Sequence, residues 1–480
     1  MSKPLDGVGG RSPAEGLPSS SSTGRPGGPR FLFALWVGKL AAALIGVFFP
    51  SRGTNMSGEI ACRIMPDLLA GFRGIDPDKT YFITGTNGKS TSNNLVVHAF
   101  RTAGRTVATN LEGANQKTGI ATTLVKNTTW RGRLKADYLI LEVDERNLER
   151  VRAAIPARHV AVTNIQKDQV QRNGDPDYIY QKIRRALGPD VTVYVNNEEP
   201  RSASLGQYAG RTISFGVARN ERASQLRRDD YAQTMACPIC HDAIEFQWSN
   251  LAGVGRFSCP GCGFASAETP DYQIDSVDYA KRRFGMAGRT YHLGYDAAHF
   301  LYNYALCGAV ASQAGIDADR LARAYDSFTN VGGRLEEFTY QGKKVRYVRM
   351  KQENPETVQS AIDDVAADST SKTFVVGLQL VHDIIPHYTN TAYFFDCDVE
   401  ALLSSHVESC VFFGATNSFD AANRMTYAGF PADRIVVVDS DQPRPILDAI
   451  AAAPTEQVYL VTMIGMYETL RAAADRKGEK

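Results

Sequence analysis

The stretch Tyr81-Phe82-Ile83-Thr84-Gly85-Thr86-Asn87-Gly88-Lys89-Ser90-Thr91 decides the fold of this 480-residue chain. A short β-rich run leads into a glycine turn, and an apolar stripe at helical spacing follows over residues 94–103. Glycines let backbone N–H groups approach phosphate oxygens, and the N-terminus of the following helix adds positive potential. Lys89 can reach the β- and γ-phosphates of a nucleotide, and the Ser90 hydroxyl can ligate Mg²⁺. The stretch predicts a nucleotide site, with a plain glycine turn as the alternative.

Further apolar runs around this loop predict a doubly wound, largely parallel sheet, because helical segments lie between most of them. They fall at residues 106–109, 138–143, 159–163 and 191–195. Ligands bind at the C-terminal edge of such a sheet, where Leu141-Glu142-Val143-Asp144-Glu145 ends one run. We expect Glu142 to complete a Mg²⁺ shell there, since hard cations prefer oxygen ligands. A solvated acidic turn is the alternative.

The order of elements predicts two α/β domains. A helix over residues 297–314 is expected to close the first, and a second alternation of strands and helices follows Gly332-Gly333-Arg334. Its expected strands are residues 345–350, 374–380, 393–395, 410–413, 435–438 and 458–462. We predict a disordered tail over residues 1–30, a central nucleotide-binding domain over 31–332 with an insert at about 230–270, and a second, Rossmann-like domain over 333–480.

Two Cys-x-x-Cys pairs lie inside the insert, in the sequences Cys237-Pro-Ile-Cys240 and Cys259-Pro-Gly-Cys262. Two such knuckles provide a closed tetrahedral shell for Zn²⁺, which would be structural because no coordination position stays open. We interpret His241 as a surface residue rather than a further ligand. Redox Cys-x-x-Cys chemistry is the alternative. The other four cysteines lie in apolar segments and are expected to be core thiols: Cys62, Cys307, Cys397 and Cys410.

The overall charge is balanced, with 53 basic and 52 acidic residues, so nucleic acid is not an expected partner. Residues 31–50 form an apolar stretch interrupted by Lys39. A membrane span of that length would place the lysine near its middle, at a cost of roughly 2.5–3.5 kcal/mol. We expect instead an amphipathic helix that packs on the first domain and could touch a membrane surface.

These motifs together carry a family resemblance. Residues 84–91 resemble the ATP loop of the Mur ligases, which join amino acids in peptidoglycan precursors, and a Cys₄ ribbon inserted in the central domain resembles the MurT type of that family. Other segments similar to family motifs are Gly53-Thr54-Asn55-Met56-Ser57-Gly58, Pro66-Asp67-Leu68-Leu69, Gly113-Ala114-Asn115, Thr118-Gly119, Thr163-Asn164-Ile165, Asp168-Gln169, Arg172-Asn173-Gly174, Gly333-Arg334-Leu335-Glu336 and Phe395-Asp396-Cys397-Asp398-Val399-Glu400.

The resemblance implies an ATP-dependent ligase that forms an amide, with ATP, Mg²⁺ and Zn²⁺ as cofactors. The substrate would be lipid II or a related carboxylate, and a GatD-type glutaminase would supply ammonia as the partner in a heterodimer. Such a protein would be cytoplasmic, at the inner face of the membrane. The resemblance also suggests site residues: Arg334 near the γ-phosphate, Asn303 beside the adenine, and Asp396, Asn390 and His387 in the catalytic region of the second domain.

Three matched positions depart from the family pattern. Phe300 replaces the first asparagine of the Tyr-Asn-x-x-Asn motif, while Asn303 keeps the second. Glu353-Asn354-Pro355 stands where the family has Lys-Asn-Pro. Asn390 stands where the family has a functional aspartate, and an amide cannot serve as a base. His387 could take over acid–base work, since its ordinary pKa is near 6.5, or it could be an exposed loop residue.

These departures keep two other functions open. The chain could be a Mur-type ligase that acts on a different carboxylate and joins an amino acid rather than ammonia. It could also be a nucleotide-binding scaffold without catalytic activity. Lys89, Glu142 and Arg334 argue for an enzyme, whereas Glu353 and Asn390 support the scaffold.

Overall fold

The structure is a computed structural model that describes residues 27–48, 55–111, 114–168, 175–223, 235–295, 297–329, 336–378, 392–414 and 416–478. The strands of the first domain are β1 (Thr80–Thr84), β2 (Val107–Ala108), β3 (Tyr138–Glu142), β4 (His159–Val162), β5 (Thr192–Asn196), β6 (Arg211–Val217), β7 (Glu245–Leu251), β8 (Val254–Ser258), β9 (Tyr272–Asp278), β10 (Arg283–Met286) and β11 (Arg289–His292).

Within the described residues these strands form a nine-stranded sheet in the order β11-β10-β9-β6-β5-β4-β1-β3-β2, with β7 and β8 as a separate hairpin. In this sheet the neighbouring strands along the order β9-β6-β5-β4-β1-β3-β2 pair in parallel. The β9–β10 and β10–β11 pairs are antiparallel. Strand β1 lies between β3 and β4, so its C-terminal end is the point where the winding of the sheet reverses. Open α/β sheets bind ligands at such a point.

Helices cover both faces of this sheet, as the predicted doubly wound fold requires. They are α1 (Pro29–Phe48), α2 (Met56–Ile64), α3 (Lys89–Thr102), α4 (Lys117–Asn127), α5 (Leu148–Ala154), α6 (Pro176–Arg185), α7 (Pro200–Ser204), α8 (Ala298–Gln313) and α9 (Ala318–Ser327). One buried cluster joins α3, α8 and α9 to the sheet, and another joins α1, α2, α4, α5 and α6 to its opposite face. All five side chains of β1 are buried because both faces are covered.

The second domain has strands β12 (Glu336–Tyr340), β13 (Lys343–Arg349), β14 (Lys372–Gly377), β15 (Val407–Phe413), β16 (Ile435–Val438) and β17 (Gln457–Thr462), and helices α10 (Pro355–Ala367), α11 (Ala392–Phe395), α12 (Thr416–Tyr427), α13 (Pro443–Ala451) and α14 (Ile464–Gly478). Its strand order is β12-β13-β17-β14-β15-β16, and only β12–β13 is antiparallel. The strand predicted at residues 393–395 is wrong. That segment lies in α11, where the Phe394 ring packs 6.0 Å from Phe412, so tertiary packing outweighs aromatic strand propensity.

The N-terminal helix also differs from the expectation. It begins at Pro29, inside the predicted tail, and packs on α2 and α4 as expected. The prediction that this helix is amphipathic is wrong, because its outward side carries apolar side chains such as Phe33 and Leu40, each 58% exposed. Among the described residues, α1 is the one helix whose length and composition would suffice to cross a membrane.

Candidate nucleotide site and metal centre

The loop between β1 and α3 has the backbone geometry of an anion cradle. Gly85 and Gly88 have φ angles of 122° and 79°, a region that favours glycine. A Cβ at Gly85 would lie 2.7 Å from the Asn164 carbonyl oxygen, and one at Gly88 would lie 2.8 Å from Asn303 Oδ1. The Thr86 N–H donates to that same Asn164 carbonyl at 2.8 Å. The positive φ angles disfavour a side chain at both glycines, and at Gly85 the backbone of Asn164 also leaves no room for one, so that the N-terminus of α3 stays uncovered by side chains of the loop.

Lys89 is the first residue of α3 and turns back over the loop. Its Nζ donates to the carbonyl oxygens of Gly85 and Thr86, and lies 3.1 Å from Glu145 Oε2. Burial opposes the charge, but the carboxylates of Glu145, Glu142 and Asp168 outweigh it and raise the pKa of Lys89. The ammonium is therefore held charged at the position where a nucleotide phosphate would accept it.

The predicted Mg²⁺ ligand Glu142 ends β3, in register with Ile83 of β1, and is 3% exposed. Its backbone N–H donates to Asn110 Oδ1 at 2.9 Å, and Asn110 Nδ2 donates to its carbonyl at 2.8 Å. Asn115 Nδ2 donates to Glu142 Oε1 at 2.8 Å. The carboxylate is thus oriented before any cation binds.

Several polar atoms at this edge suit a bound Mg–nucleotide. Ser90 is exposed and Thr91 is half-buried in the first turn of α3. Thr84 Oγ1 and Asp168 Oδ1 are buried without a hydrogen-bond partner among the described residues. A carboxylate, hydroxyls and free oxygens at one sheet edge fit Mg²⁺, which keeps several waters when it binds through one or two carboxylates and phosphates.

Asn303 reaches the loop from α8, on the far side of the crevice. Its Oδ1 accepts a hydrogen bond from Ser92 Oγ at 2.9 Å, and its Nδ2 is buried without a partner among the described residues. The neighbouring departure, Phe300, instead lies in the core, stacked on Tyr295 with ring centroids 4.6 Å apart. Asn303 therefore lies at the phosphate loop, whereas Phe300 packs in the core.

The second domain docks directly on the phosphate loop. Asn354 is fully buried and caps α10, where its Oδ1 accepts from Thr357 N at 2.9 Å. Asn87 Nδ2 donates to the same Oδ1 at 3.1 Å, and Asn354 Nδ2 donates to the Lys167 carbonyl at 2.8 Å. The Glu353-Asn354-Pro355 segment thus lies at the nucleotide loop, as the resemblance implied, and Glu353 is 9% exposed there.

Two ion pairs also join the second domain to the first. Lys351 Nζ lies 2.8 Å from Asp168 Oδ2, and Lys167 Nζ lies 2.9 Å from Asp396 Oδ2. The predicted catalytic residue Asp396 is therefore paired with a lysine of the first domain. Arg334, His387 and Asn390 lie outside the described residues, as do Gly113, Gln169, the Arg172–Gly174 segment and the Gly53-Thr54 start of the first motif.

Sequence reasoning missed Gln166, which joins three parts of the site. Its Oε1 accepts from Asn87 Nδ2 at 2.9 Å, and its Nε2 donates to the Ala252 carbonyl at the tip of the β7–β8 hairpin at 3.1 Å. Its backbone N–H donates to Thr86 Oγ1 at 3.0 Å. No sequence motif singles it out, because the Ala252 contact depends on how the hairpin folds back onto the domain.

The four cysteines of the insert form one cluster, with all sulfur atoms within 4.8 Å of one another. The Cys237–Cys262 and Cys240–Cys259 sulfurs are 3.7 and 3.4 Å apart. Zn–S bonds of about 2.3 Å in a tetrahedron place sulfurs roughly 3.8 Å apart, so the cluster fits Zn²⁺. His241 is exposed and outside the cluster, as expected.

The hairpin above this cluster is anchored to the domain through Glu198. The Gly255 N–H donates to the Glu198 carbonyl at 2.9 Å, and the Val217 N–H donates to Glu198 Oε1 at 2.7 Å. The Tyr302 hydroxyl donates to Oε2, and Asn250 donates to that hydroxyl at 3.3 Å. Burial raises the pKa of Glu198 to about 8, although the hydrogen bonds from Tyr302 and Val217 work against it.

Comparison with known proteins agrees with this site. A family model for the Mur ligase middle domain matches residues 83–258, and one for the MurT ligase C-terminal region matches residues 352–466. Among solved structures, a pseudomurein peptide ligase type C from Methanothermus fervidus has a TM-score of 0.64 at 16% identity, covering 89% of this chain and 85% of that one. MurF from Acinetobacter baumannii has a TM-score of 0.59 at 12% identity, covering 87% and 80%. The fold and site thus define an ATP-dependent ligase of the Mur type.

The curated relatives that match this chain have a more specific name than Mur ligase. The lipid II isoglutaminyl synthase (glutamine-hydrolyzing) subunit MurT of Streptococcus pneumoniae is 26% identical over 442 residues, which cover 89% of this chain and 93% of the relative. Its counterpart in Staphylococcus aureus strain COL is 23% identical over 365 residues, covering 76% and 80%. The chain is thus similar to the MurT-type Mur ligases over most of its length.

Proposed function

We propose that this chain is the synthetase subunit that activates the α-carboxylate of D-glutamate in the stem peptide of lipid II for amidation. The γ-phosphoryl group of ATP moves to a carboxylate oxygen, which releases ADP and leaves an acyl phosphate. Ammonia then attacks the acyl carbon, the bond to phosphate breaks, and the product is D-isoglutamine. The ammonia comes from a GatD-type glutaminase in a heterodimer.

One observation carries the ligase chemistry: the charged Lys89 and the oriented Glu142 lie at the edge of the sheet where the second domain closes on the loop through Asn87 and Asn354. Lys89 and Arg334 would bind the transferring phosphoryl group and stabilise its charge. Glu142 and Ser90 would hold Mg²⁺, which neutralises phosphate charge when bound. Asp396, Asn390 and His387 are proposed to act on the acceptor side.

The substrate and partner rest on the names of the relatives, which describe a lipid II isoglutaminyl synthase that hydrolyses glutamine and has more than one subunit. Zn²⁺ bound by the four cysteines would stabilise the hairpin that supports Gln166. A precursor of this kind is consumed at the cytoplasmic side of a membrane, so we propose that location for this chain.

A Mur-type ligase acting on another carboxylate is the second candidate. The observation that favours it is Glu353, an acidic side chain buried beside Asn354 where the family has a lysine. Asn390 in the place of an aspartate points the same way. A nucleotide-binding scaffold is the third candidate, and ATP turnover separates it from both enzymes.

The test is ADP release by the chain with a GatD-type glutaminase, glutamine and lipid II. Lys89→Ala removes the phosphate-binding ammonium, and Lys281→Ala is its matched control, since Lys281 is 73% exposed and pairs with Asp278 at the far edge of the sheet. We expect lipid II-dependent ADP release from the parent and from Lys281→Ala, and none from Lys89→Ala.

Two results would overturn the proposal. ADP release that needs an amino acid but no glutaminase would identify the second candidate. ATP binding without acceptor-dependent ADP, across lipid II and other carboxylates, would identify a scaffold.

A further inference from the structure

Five exposed apolar side chains form one surface at the N-terminal end of the structure, which we call the N-terminal patch. Phe33, Trp36, Leu40 and Leu44 are 58%, 46%, 58% and 60% exposed and follow one stripe of α1 at helical spacing. Trp130, 58% exposed, joins them because Trp36 Nε1 donates to its carbonyl oxygen at 2.8 Å. Contiguous patches of this kind mark interaction sites rather than ordinary surface.

The opposite side of α1 is held by the protein, so the helix does not cross a membrane in this arrangement. Phe31 packs edge-on against Phe72 with ring centroids 5.2 Å apart. A Cβ at Gly38 would lie 3.1 Å from that of Ala61, so α1 and α2 are in close contact. Lys39 Nζ donates to the Thr128 carbonyl at 2.7 Å, which places the ammonium at the end of α4 and 5.8 Å from the centre of the Trp130 ring, at the border of the patch.

The chain around the patch is basic. Residues 27–58, which include α1, and residues 114–136, which include α4 and Trp130, contain no aspartate or glutamate. The second segment alone has five basic residues, and Arg131, Arg133 and Lys135 are exposed directly after Trp130. Because the whole chain has a formal net charge of only +1, this positive charge is a local feature.

We propose that the N-terminal patch docks on the surface of an anionic lipid bilayer, with α1 lying in the membrane plane. Tryptophan and aliphatic side chains on one face, flanked by arginine and lysine, are the composition that binds at the lipid–water interface. The apolar side chains enter the boundary of the acyl chains, and the basic side chains pair with lipid phosphates. The two segments that carry the patch contain no acidic residue that would pair with basic residues of a protein partner, whereas an anionic lipid surface matches both their apolar and their basic side chains.

Docking of α1 on a bilayer would also set how the nucleotide site is oriented relative to the membrane. Helix α4 begins two residues after Asn115, whose side chain holds Glu142, so the membrane surface and the sheet edge are joined by one helix. An acceptor embedded in the bilayer would meet the site from that side. The docking itself does not depend on which acceptor the enzyme uses.

The experiment is flotation of the full chain with vesicles of phosphatidylcholine alone and of phosphatidylcholine mixed with phosphatidylglycerol. The variant carries Phe33→Ser, Leu40→Ser and Leu44→Ser. Its matched control carries Phe419→Ser and Tyr427→Ser, which remove apolar side chains 48% and 83% exposed on the second domain. We expect the parent and the control to float with the anionic vesicles, and the variant to partition at least about tenfold less.

Quenching of the intrinsic fluorescence is a second measurement. It is made on the parent chain, so it does not depend on whether the serine variant folds. Two of the three tryptophans, Trp36 and Trp130, lie in the patch, and Trp248 lies in the zinc hairpin. Anionic vesicles with brominated acyl chains should quench the parent strongly, and Trp36→Phe with Trp130→Phe should abolish that quenching. Replacing Arg131, Arg133 and Lys135 by glutamine should remove the preference for anionic lipid.

Other outcomes would overturn the proposal. Flotation of the serine variant at the parent level, or absence of quenching, would place any lipid contact elsewhere. Concentration-dependent dimers of the parent that the serine variant lacks would show that a second copy covers the patch. Protection of Trp36 and Trp130 by a glutaminase subunit, without flotation, would show that it is a protein interface.

Discussion

Replacement of Glu198 by glutamine should change how the stability of the first domain depends on pH. Glu198 is 3% exposed and joins the zinc hairpin to β6 and to α8, where Tyr302 is next to Asn303 of the nucleotide site. Burial raises its pKa from 4.5 to about 8. The carboxyl group is therefore largely protonated in the folded domain near neutrality, whereas it is ionised in the unfolded chain.

The difference in protonation between the folded and the unfolded chain decides whether stability rises or falls with pH. Below pH 4.5 both states are protonated, so the group has no effect on the pH dependence. Between about pH 4.5 and pH 8 only the unfolded state gives up its proton, so the free energy of unfolding falls as the pH rises. At about 1.4 kcal/mol per unit, the parent should lose about 4 kcal/mol relative to Glu198→Gln between pH 5 and pH 8.

Tryptophan fluorescence in urea is a suitable assay, because all three tryptophans lie in the first domain and report its unfolding alone. The comparison uses the slope against pH rather than the absolute stability. Glutamine presents an amide N–H₂ to the Tyr302 hydroxyl, which already accepts from Asn250, and that mismatch lowers the stability of the variant at every pH. Other buried carboxyl groups, such as Glu199, titrate in both proteins and cancel.

Tyr302→Phe extends the test. The Tyr302 hydrogen bond lowers the pKa of Glu198, so its loss should raise that pKa further and extend the falling part of the curve to higher pH. Parallel curves for the parent and Glu198→Gln would refute the reasoning, since they would mean that Glu198 ionises alike in both states.

Three further predictions concern the site and its supports. Gln166→Leu should weaken ATP binding by about tenfold in calorimetry, with zinc content unchanged, because Asn87 loses a hydrogen bond; unchanged affinity would contradict this. His241→Gly should stabilise the hairpin by up to about 1 kcal/mol in urea, since His241 has a φ of 67°, and a loss of stability would argue against that strain. Asn354→Ala should cost the second domain about 1 kcal/mol in thermal unfolding, because α10 loses its cap, and an unchanged melting temperature would count against it.

Local patterns predicted much of the fold. The phosphate loop, the strands around it and the cysteine pairs are each encoded within a few consecutive residues, so their periodicity or spacing is visible in the chain. Glu142 was placed at the C-terminal end of a strand, and β3 ends there. The largely parallel sheet followed from the alternation of strands and helices, whereas the central position of β1 is known from the structure.

The contacts that join the parts could not be predicted in this way. Gln166 bonds to Asn87 and Ala252, which are far from it in sequence, and the pairing of Lys351 with Asp168 depends on how two domains dock. The prediction of an amphipathic α1 is wrong, because the sequence shows that Lys39 interrupts the apolar stretch but not which way its side chain turns. In the structure the lysine stem turns inward to the end of α4, and the polar side does not form. The aromatic residues at 393–395 favour a strand by propensity, but the packing of Phe394 on Phe412 holds them in α11.

The departures from the family pattern differ in what they touch. Phe300 stacks on Tyr295 within the core, while Asn303, three residues further along the same helix, keeps its contact with Ser92, so the nucleotide side retains its polar group. Asn354 likewise keeps its bond to Asn87. Glu353 differs, because it adds a buried acidic group at the boundary between the domains. Glu353 therefore lies at the domain boundary beside the phosphate loop. Because Asn303 and Asn354 keep their polar contacts around that loop, we favour variation in the acceptor over loss of the nucleotide function as the explanation of the departures.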